Sequence, residues 1–328
     1  MNKLKLILCI LIVFVICFYQ GAIFASEKIE ISFGHSGKGP DSIEDIYAQV
    51  FKRDLEEKFK DEVFVNIFPS SQLGTDIEMI EQVKNGITNI IITSSQIVAV
   101  DPGMGIFDMP FLFRDRDHVY SVLDGPIGQE LAKNLEKSGL IHLGYGELGF
   151  RQISNNVRPI KTPDDLKGLL LRVPDNRVRI EVFNMLGASA TPLDFNELYT
   201  ALQQGVVEGQ ENPLASIYTA KLYEVQKYIS LTNHIYTPSH TLMNKDFYNS
   251  LPVEVREYLV KEVAPHAREV VRNRSKQADE ELIAILENEG VKINEVDTRV
   301  FADKASQIWK KYEDVYGKFI TKILEDAE

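Results

Sequence analysis

The sequence predicts an α/β fold in two lobes with largely parallel sheets, and three observations carry that expectation. Short apolar strands alternate with amphipathic helices from Lys28 onward. The alternation starts afresh after Gly149, and a helical stretch from Val253 to about Glu289 follows.

In the first unit Ile29, Ile31 and Phe33 alternate with polar neighbours, as in a strand with one buried face. Gly34 to Pro40 follow as a loop. Asp41 with Glu44 then reads as a capping box opening a helix, with Ile43, Ile46, Tyr47, Val50, Phe51 and Leu55 on its apolar face. A second strand, Val63, Val65 and Ile67, ends at Pro69. Thr75 with Glu78 caps a helix that stops at Gly86, and a strand at Ile90 to Ile92 comes next. After Gly149, strands are expected at Phe150 to Ser154, Leu169 to Val173 and Val206 to Gly209, with helices near Val178 to Leu186 and Glu197 to Gln204. No low-complexity linker separates the halves, so strands passing between them should form the hinge. The final helical stretch, kinked at Pro265, would exceed roughly 50 Å at about 1.5 Å per residue, enough to brace two lobes.

The first residues have the layout of a secretory leader: Lys3 and Lys5, an unbroken apolar run from Leu6 to Phe18, then Gly21, Ala22 and Ala25 before Ser26 and Glu27. The run is shorter than the about 20 residues that cross a bilayer, so residues 1–25 read as a signal peptide cleaved after Ala25. Both cysteines, Cys9 and Cys17, fall inside it, which leaves the mature chain no disulfide and no thiolate metal site. Val15 and Ile16 before Cys17 are not the small residues of a lipid-attachment box. A soluble, exported chain of about 300 residues is expected, in the periplasm or another extracytoplasmic space. Removing residues 1–25 takes away two positive charges and no negative ones, which moves the formal charge from −12 to −14. So acidic a chain argues against nucleic acid as a partner, because that recognition rests on basic patches.

Signatures of catalysis are missing. The loop Gly34-His35-Ser36-Gly37-Lys38-Gly39 puts glycine where a phosphate-binding loop needs Ser or Thr. Its backbone N–H groups still lie between a strand and a helix, where they either meet an anion or shape a plain turn. Six histidines, His35, His118, His142, His234, His240 and His266, form no helical pair suited to a metal. There is no Gly-x-Ser-x-Gly elbow and no mature cysteine to act as a nucleophile. No catalytic residue, metal or cofactor is assigned.

Two arginines stand where open α/β sheets bind ligands, at the carboxyl ends of strands. Arg151 lies on a strand candidate just after Gly149, and Arg172 ends the apolar run Leu169-Leu170-Leu171. A guanidinium gives a carboxylate two parallel charge-assisted hydrogen bonds and keeps its proton. A strand-end salt bridge to a nearby Asp or Glu is the other reading of either arginine. Asn212, in Gly209-Gln-Glu-Asn-Pro213, falls at a strand end too, where its amide either donates to a ligand oxygen or helps form the turn before Pro213.

Ordered motifs then match a known family. They are Phe68-Pro-Ser-Ser-Gln-Leu-Gly74, Phe107-Asp-Met-Pro-Phe-Leu-Phe113, Gly149-Phe-Arg-Gln152, Asp165-Leu-Lys-Gly168, Leu171-Arg-Val-Pro174, Gly187-Ala-Ser-Ala-Thr-Pro192, Glu197-Leu-Tyr-Thr-Ala-Leu-Gln203 and Gly209-Gln-Glu-Asn-Pro213. Through them the sequence resembles the solute-binding subunits of tripartite ATP-independent periplasmic (TRAP) transporters, from about Ile29 into the C-terminal helices. The resemblance implies a two-lobed periplasmic-binding-protein-like fold with a hinge and a long bracing C-terminal helix. Lobe I would comprise residues 26–148 and about 238–277, and lobe II residues 149–237 and about 278–328. It further implies a monomeric receptor that is not an enzyme and passes a small organic acid to membrane subunits driven by an ion gradient.

By the same resemblance Arg172 makes the main bidentate salt bridge to the ligand carboxylate, Arg151 assists, Asn212 contributes its amide, and Phe195 forms an aromatic wall. His35, Ser36, Asp76, Ser94 and Ser95 are implied as polar contacts from the first lobe. The run Gly209 to Leu214, with Tyr223-Glu-Val-Gln-Lys-Tyr228 and Leu231-Thr-Asn-His234, is similar to the branch that binds sialic acid and related sugar acids. That branch carries Asn-Gly-Thr before its first arginine and a glutamate near the place of Ser94, whereas Glu147-Leu-Gly-Phe150 precedes Arg151 here. The expected ligand is therefore a sugar acid (sialic acid, a uronate or an aldonate), with a hydroxy acid or a four-carbon dicarboxylate as alternatives. An exported sugar-acid enzyme and a ligand sensor are the rival uses.

Overall fold

The computed structural model describes residues 28–326. The expected signal peptide, its cleavage point and both cysteines lie outside the described residues. In chain order the strands are β1 (Ile29–Gly34), β2 (Val63–Phe68), β3 (Ile90–Thr93), β4 (Leu140–Phe150), β5 (Gln152–Asn155), β6 (Leu170–Val173), β7 (Ser189–Pro192), β8 (Gly209–Asn212), β9 (Tyr228–Leu231), β10 (Tyr236–Asn244) and β11 (Lys292–Glu295). They form one sheet ordered β2-β1-β3-β10-β4 and a second ordered β11-β9-β5-β8-β6-β7. One strand in each sheet opposes the rest, β10 in the first and β5 in the second, so both sheets are largely parallel as expected.

The first unit follows its sequence pattern closely. Parallel pairing sets Ile31 beside Val65, and both are buried against helix α1 (Ile43–Phe59), whose Ile43, Tyr47, Val50, Phe51 and Leu55 are buried as well. The cap differs from the expected one. Ser42, not Asp41, accepts the backbone N–H of Asp45, which leaves the Glu44 side chain outside any capping box. Helix α2 (Asp76–Lys84) does open on the Thr75–Glu78 capping box, and Gly86 beyond its end has φ +70°.

Three strand expectations change. The segment Phe150 to Ser154 is not continuous, because Arg151 interrupts it and donates its backbone N–H to Ile235. The strand placed at Val206 to Gly209 runs instead from Gly209 to Asn212; Val206 is exposed and belongs to the preceding turn. Strand β10 was not foreseen. Its sequence Tyr-Thr-Pro-Ser-His-Thr mixes polar and apolar residues without alternation, because both faces are buried and the strand has no solvent side to mark.

The chain crosses between the sheets as a strand in each direction: β4 continues past Arg151 into β5, and β9 continues through Thr232 to Ile235 into β10. Helices α3 (Arg177–Leu186) and α4 (Leu214–Thr219) follow β6 and β8. The long helix is α5 (Ala264–Asn288), preceded by a helix at Val253–Tyr258 and a π turn at Leu259–Val263. That turn falls just before Pro265, which has no N–H to continue the ladder, so the irregularity expected at Pro265 takes this form. Helix α5 packs on α1 and β4 of the first sheet's layer and on α4 of the second, the bracing position expected of it.

Of the C-terminal helices, Ala302–Lys311 packs on α3 and Glu313–Asp326 on residues 102–108 and 116–124. Trp309 Nε1 donates to Pro110 at 2.9 Å and Tyr316 to Pro102 at 2.8 Å. Both hydrophobic clusters draw on both sheets: Ile91 and Leu171 share one, Ile92 and Ile229 the other. Among the described residues no helix is long and apolar enough to cross a membrane.

Candidate ligand-binding site

The carboxyl ends of β1, β3, β6 and β8 open onto one narrow cleft, lined from the first sheet by Ser36, Glu44, Asp76, Ser94, Ser95 and Gln96 and from the second by Arg151, Arg172, Phe195 and Asn212. This is the place where an open α/β sheet presents ligand groups. Arg172 lies on β6, beside Gln210 of β8, and is 1% exposed. Its Nε donates to the Leu193 carbonyl at 2.8 Å, while the buried Nη2 has no partner. A buried donor left unmatched is costly, and a ligand oxygen would satisfy it. The guanidinium carbon stands 6.0 Å from the Phe195 ring centre. Burial draws its pKa down to about 10, so it remains protonated at neutral pH.

Arg151 is engaged differently. It forms a buried ion pair with Glu211, with Nη2 3.0 Å from Oε1, and also donates to Asn212 Oδ1 at 2.9 Å. Glu211 receives Arg179 Nη1 at 3.0 Å and faces His234 Nε2 at 3.1 Å. Burial pushes its pKa up, but Arg151 and Arg179 outweigh that and hold the carboxyl well below the usual range. Arg179 reaches further, to Asp108 and, at 3.1 Å, to Ser95 Oγ. Asn176 caps α3 by accepting from Arg179 N, and donates across to Ser95 O at 2.7 Å. The start of α3 is thereby fastened to the end of β3.

The first-sheet wall is acidic. Asp76 opens α2, is 5% exposed, and accepts from Ser36 Oγ at 3.2 Å. Burial raises its pKa to about 7, with Glu44 and Asp194 adding to the rise and Ser36 and Arg172 opposing it. Glu44 is shifted upward too, chiefly by burial. Gly37 permits this wall, since a Cβ there would stand 2.7 Å from Glu44 Oε2 and 2.5 Å from Ser42 Oγ.

The model of bacterial extracellular solute-binding proteins, family 7 (DctP), matches residues 33–314. The chain belongs to this family. A relative in this solute-binding family, the 2,3-diketo-L-gulonate-binding periplasmic protein of Escherichia coli K12, is 35% identical over 275 residues, 83% of each chain. The sugar acid binding protein of Advenella mimigardefordensis, solved with galactonate, superposes with TM-score 0.87 at 34% identity, over 92% of this chain and 98% of that one. A TRAP periplasmic solute-binding protein of Sulfurospirillum deleyianum, solved with succinate, gives TM-score 0.86 at 32% identity, over 91% and 99%.

Set against the residues singled out in this solute-binding protein's sequence, the cleft gathers Arg172, Arg151, Asn212, Phe195, Ser94, Ser95, Ser36 and Asp76. His35 is not among them: it is fully buried behind the loop, 3.3 Å from Asp45 Oδ1. The Asn212 amide expected to face a ligand donates to Gln210 Oε1 at 2.5 Å. Glu44, Gln96, Leu148, Pro174 and Ser216 line the cleft without having been foreseen. Ser216 carried a usable signal, four residues after Asn212 at the start of a helix. Glu44 was hidden by its reading as a capping residue. A larger groove, lined by Phe111, Tyr120, Arg272 and Lys276 among others, holds none of the expected ligand residues, and its Arg116 and Arg272 are tied to Glu147, Asp279 and Asp124.

Proposed function

We propose that this chain is the extracytoplasmic subunit of a TRAP-type secondary transporter and holds a small sugar acid by its carboxylate on Arg172. The unmatched, buried Nη2 of Arg172 carries this reading. Arg151 and Asn212 complete that end of the cleft, with Arg151 acting as the anchored member and Arg172 as the free one. Phe195 covers the guanidinium, and Ser36, Asp76, Ser94 and Ser95 read the ligand's hydroxyls. The lobes are residues 26–148 with about 238–277, and 149–237 with about 278–328, closing over the ligand about the two strand crossings.

The energy scale fits. A hydrogen bond to a charged group contributes about 1.5–3 kcal/mol, and micromolar affinity requires about 8 kcal/mol, so a few such bonds with water excluded suffice. The test is titration calorimetry of galactonate, erythronate and galacturonate with the wild type and with Arg172→Ala. At least one acid should bind the wild type, and binding should vanish in the variant. Unchanged affinity in Arg172→Ala would remove Arg172 as the carboxylate anchor.

A further inference from the structure

The two walls of the cleft carry opposite chemistry. Of the guanidiniums that line it, Arg151 is matched by Glu211, and Arg172 has only the Leu193 carbonyl. One positive charge is therefore left for a ligand. The first-sheet wall supplies Ser36, Glu44, Asp76, Ser94, Ser95 and Gln96, with no Lys or Arg among them. Asp76 of this wall and Arg172 of the other line the same cleft.

We propose that Asp76 and Glu44 form a charge filter: the cleft accepts monocarboxylates whose far end carries hydroxyls and rejects dicarboxylates. This rests on Arg172 holding the carboxylate, as proposed above. A second carboxylate would need a second cation, and the wall it reaches presents two carboxyls instead. Like charges repel far more strongly in a water-poor cleft than in bulk water. A hydroxyl suits the same wall in either state, since it donates to a carboxylate and accepts from a carboxylic acid.

Protonation of Asp76 would relieve the repulsion. The groups facing it are Ser36, Glu44, Asp194 and Arg172. An anion placed beside it raises its proton affinity further, so a diacid would enter together with a proton and bind better as pH falls through about 7. A hydroxylated monoacid brings no such requirement.

The experiment is calorimetry at about pH 6 and about pH 8, in buffers of different ionisation enthalpy, which reads affinity and proton uptake together. The ligands are galactonate, erythronate and galacturonate on one side and succinate and malate on the other. In the wild type at about pH 8 the preferred monoacid should bind about a hundredfold tighter than either diacid. Succinate should gain about tenfold on moving to about pH 6, with uptake of up to about one proton. Asp76→Asn should raise succinate affinity at about pH 8 by about tenfold and abolish that uptake, with its melting temperature checked; Glu44→Gln serves as the second variant and should move succinate the same way. Succinate binding as tightly as the best monoacid at about pH 8, without proton uptake, would overturn the filter and leave the Arg172 anchor standing. Failure of the wild type to bind any acid of the panel would overturn the anchor and the filter together.

Discussion

Arg151 pairs with Glu211 in the interior, while Arg172 in the same cleft keeps a buried Nη2 without a partner. Position at a strand end made Arg151 and Arg172 equivalent in the sequence. They differ because Glu211, on β8, stands next to Asn212, whose residue partner across the ladder is Gln152, the neighbour of Arg151. The register of β5 on β8 therefore brings Glu211 to Arg151, while Arg172, one strand further along, finds only a backbone carbonyl.

Glu211 should be the residue whose neutralisation the fold tolerates least. In Glu211→Gln two buried guanidiniums, Arg151 and Arg179, would face an amide in place of the carboxylate that now balances them. Breaking a buried pair in this way costs about 3–5 kcal/mol. Urea unfolding of the unliganded protein should show a loss of that size with an unchanged slope; a change below about 0.5 kcal/mol would contradict it.

Acid should weaken the fold through its buried histidines. Burial lowers the pKa of His234, and that of His240 much further, so both take up a proton less readily in the folded chain than free histidine, which titrates near 6.5. Below that value the unfolded chain binds protons that the folded chain binds less readily. The histidines therefore contribute a loss of stability as pH falls from about 7 towards about 5, against which Asp76, with its raised pKa, takes up a proton in the folded chain and contributes the opposite sign. Thermal melts of Asp76→Asn across this range, in which the opposing carboxyl is removed, should track the decline. His240→Gln, which keeps a hydrogen-bonding partner for His142, should gain stability relative to the wild type as pH falls through the window; identical pH profiles for the two would count against the assignment.

Much of this was legible because periodicity reports burial on one face. The alternation of Ile29, Ile31 and Phe33 and the stripe of α1 from Ile43 to Leu55 are such signals, and both elements fell where expected. β10 was illegible for the same reason, being buried on both sides with Thr237, Ser239 and Thr241 in its interior. At the site, strand-end position pointed to Arg172 and Asn212, and both line the cleft. It could not foretell that Asn212 would turn its amide to Gln210, or that Arg179 would arrive from a helix face that looks solvated in sequence. Those outcomes depend on pairings between segments far apart in the chain, such as Arg179 with Asp108.

The crossing at Gly149 is sterically committed. Its φ of +113° lies where side chains are strained, and a Cβ would meet Ser275 Oγ at 3.1 Å. Ser275 has little room to give way, since it is buried on α5 and donates to Glu147 at 3.0 Å. Gly149→Ala should therefore cost about 1–3 kcal/mol, seen as a lower denaturation midpoint. An unaltered midpoint would show that the backbone there relaxes freely.

Lysine in place of each cleft arginine should separate the two roles. Arg172→Lys keeps the charge but loses the fork, so ligand affinity should drop by at least about tenfold, while stability without ligand stays within about 1 kcal/mol because only the Leu193 contact is disturbed. Arg151→Lys strikes a side chain that bridges Glu211 and Asn212 in the interior, and a single ammonium cannot span both. It should unfold more easily by about 2 kcal/mol or more. Calorimetry and urea denaturation on the same two variants make the comparison. If Arg172→Lys proved the less stable and Arg151→Lys the weaker binder with its stability intact, the division between a free and an anchored arginine would be reversed.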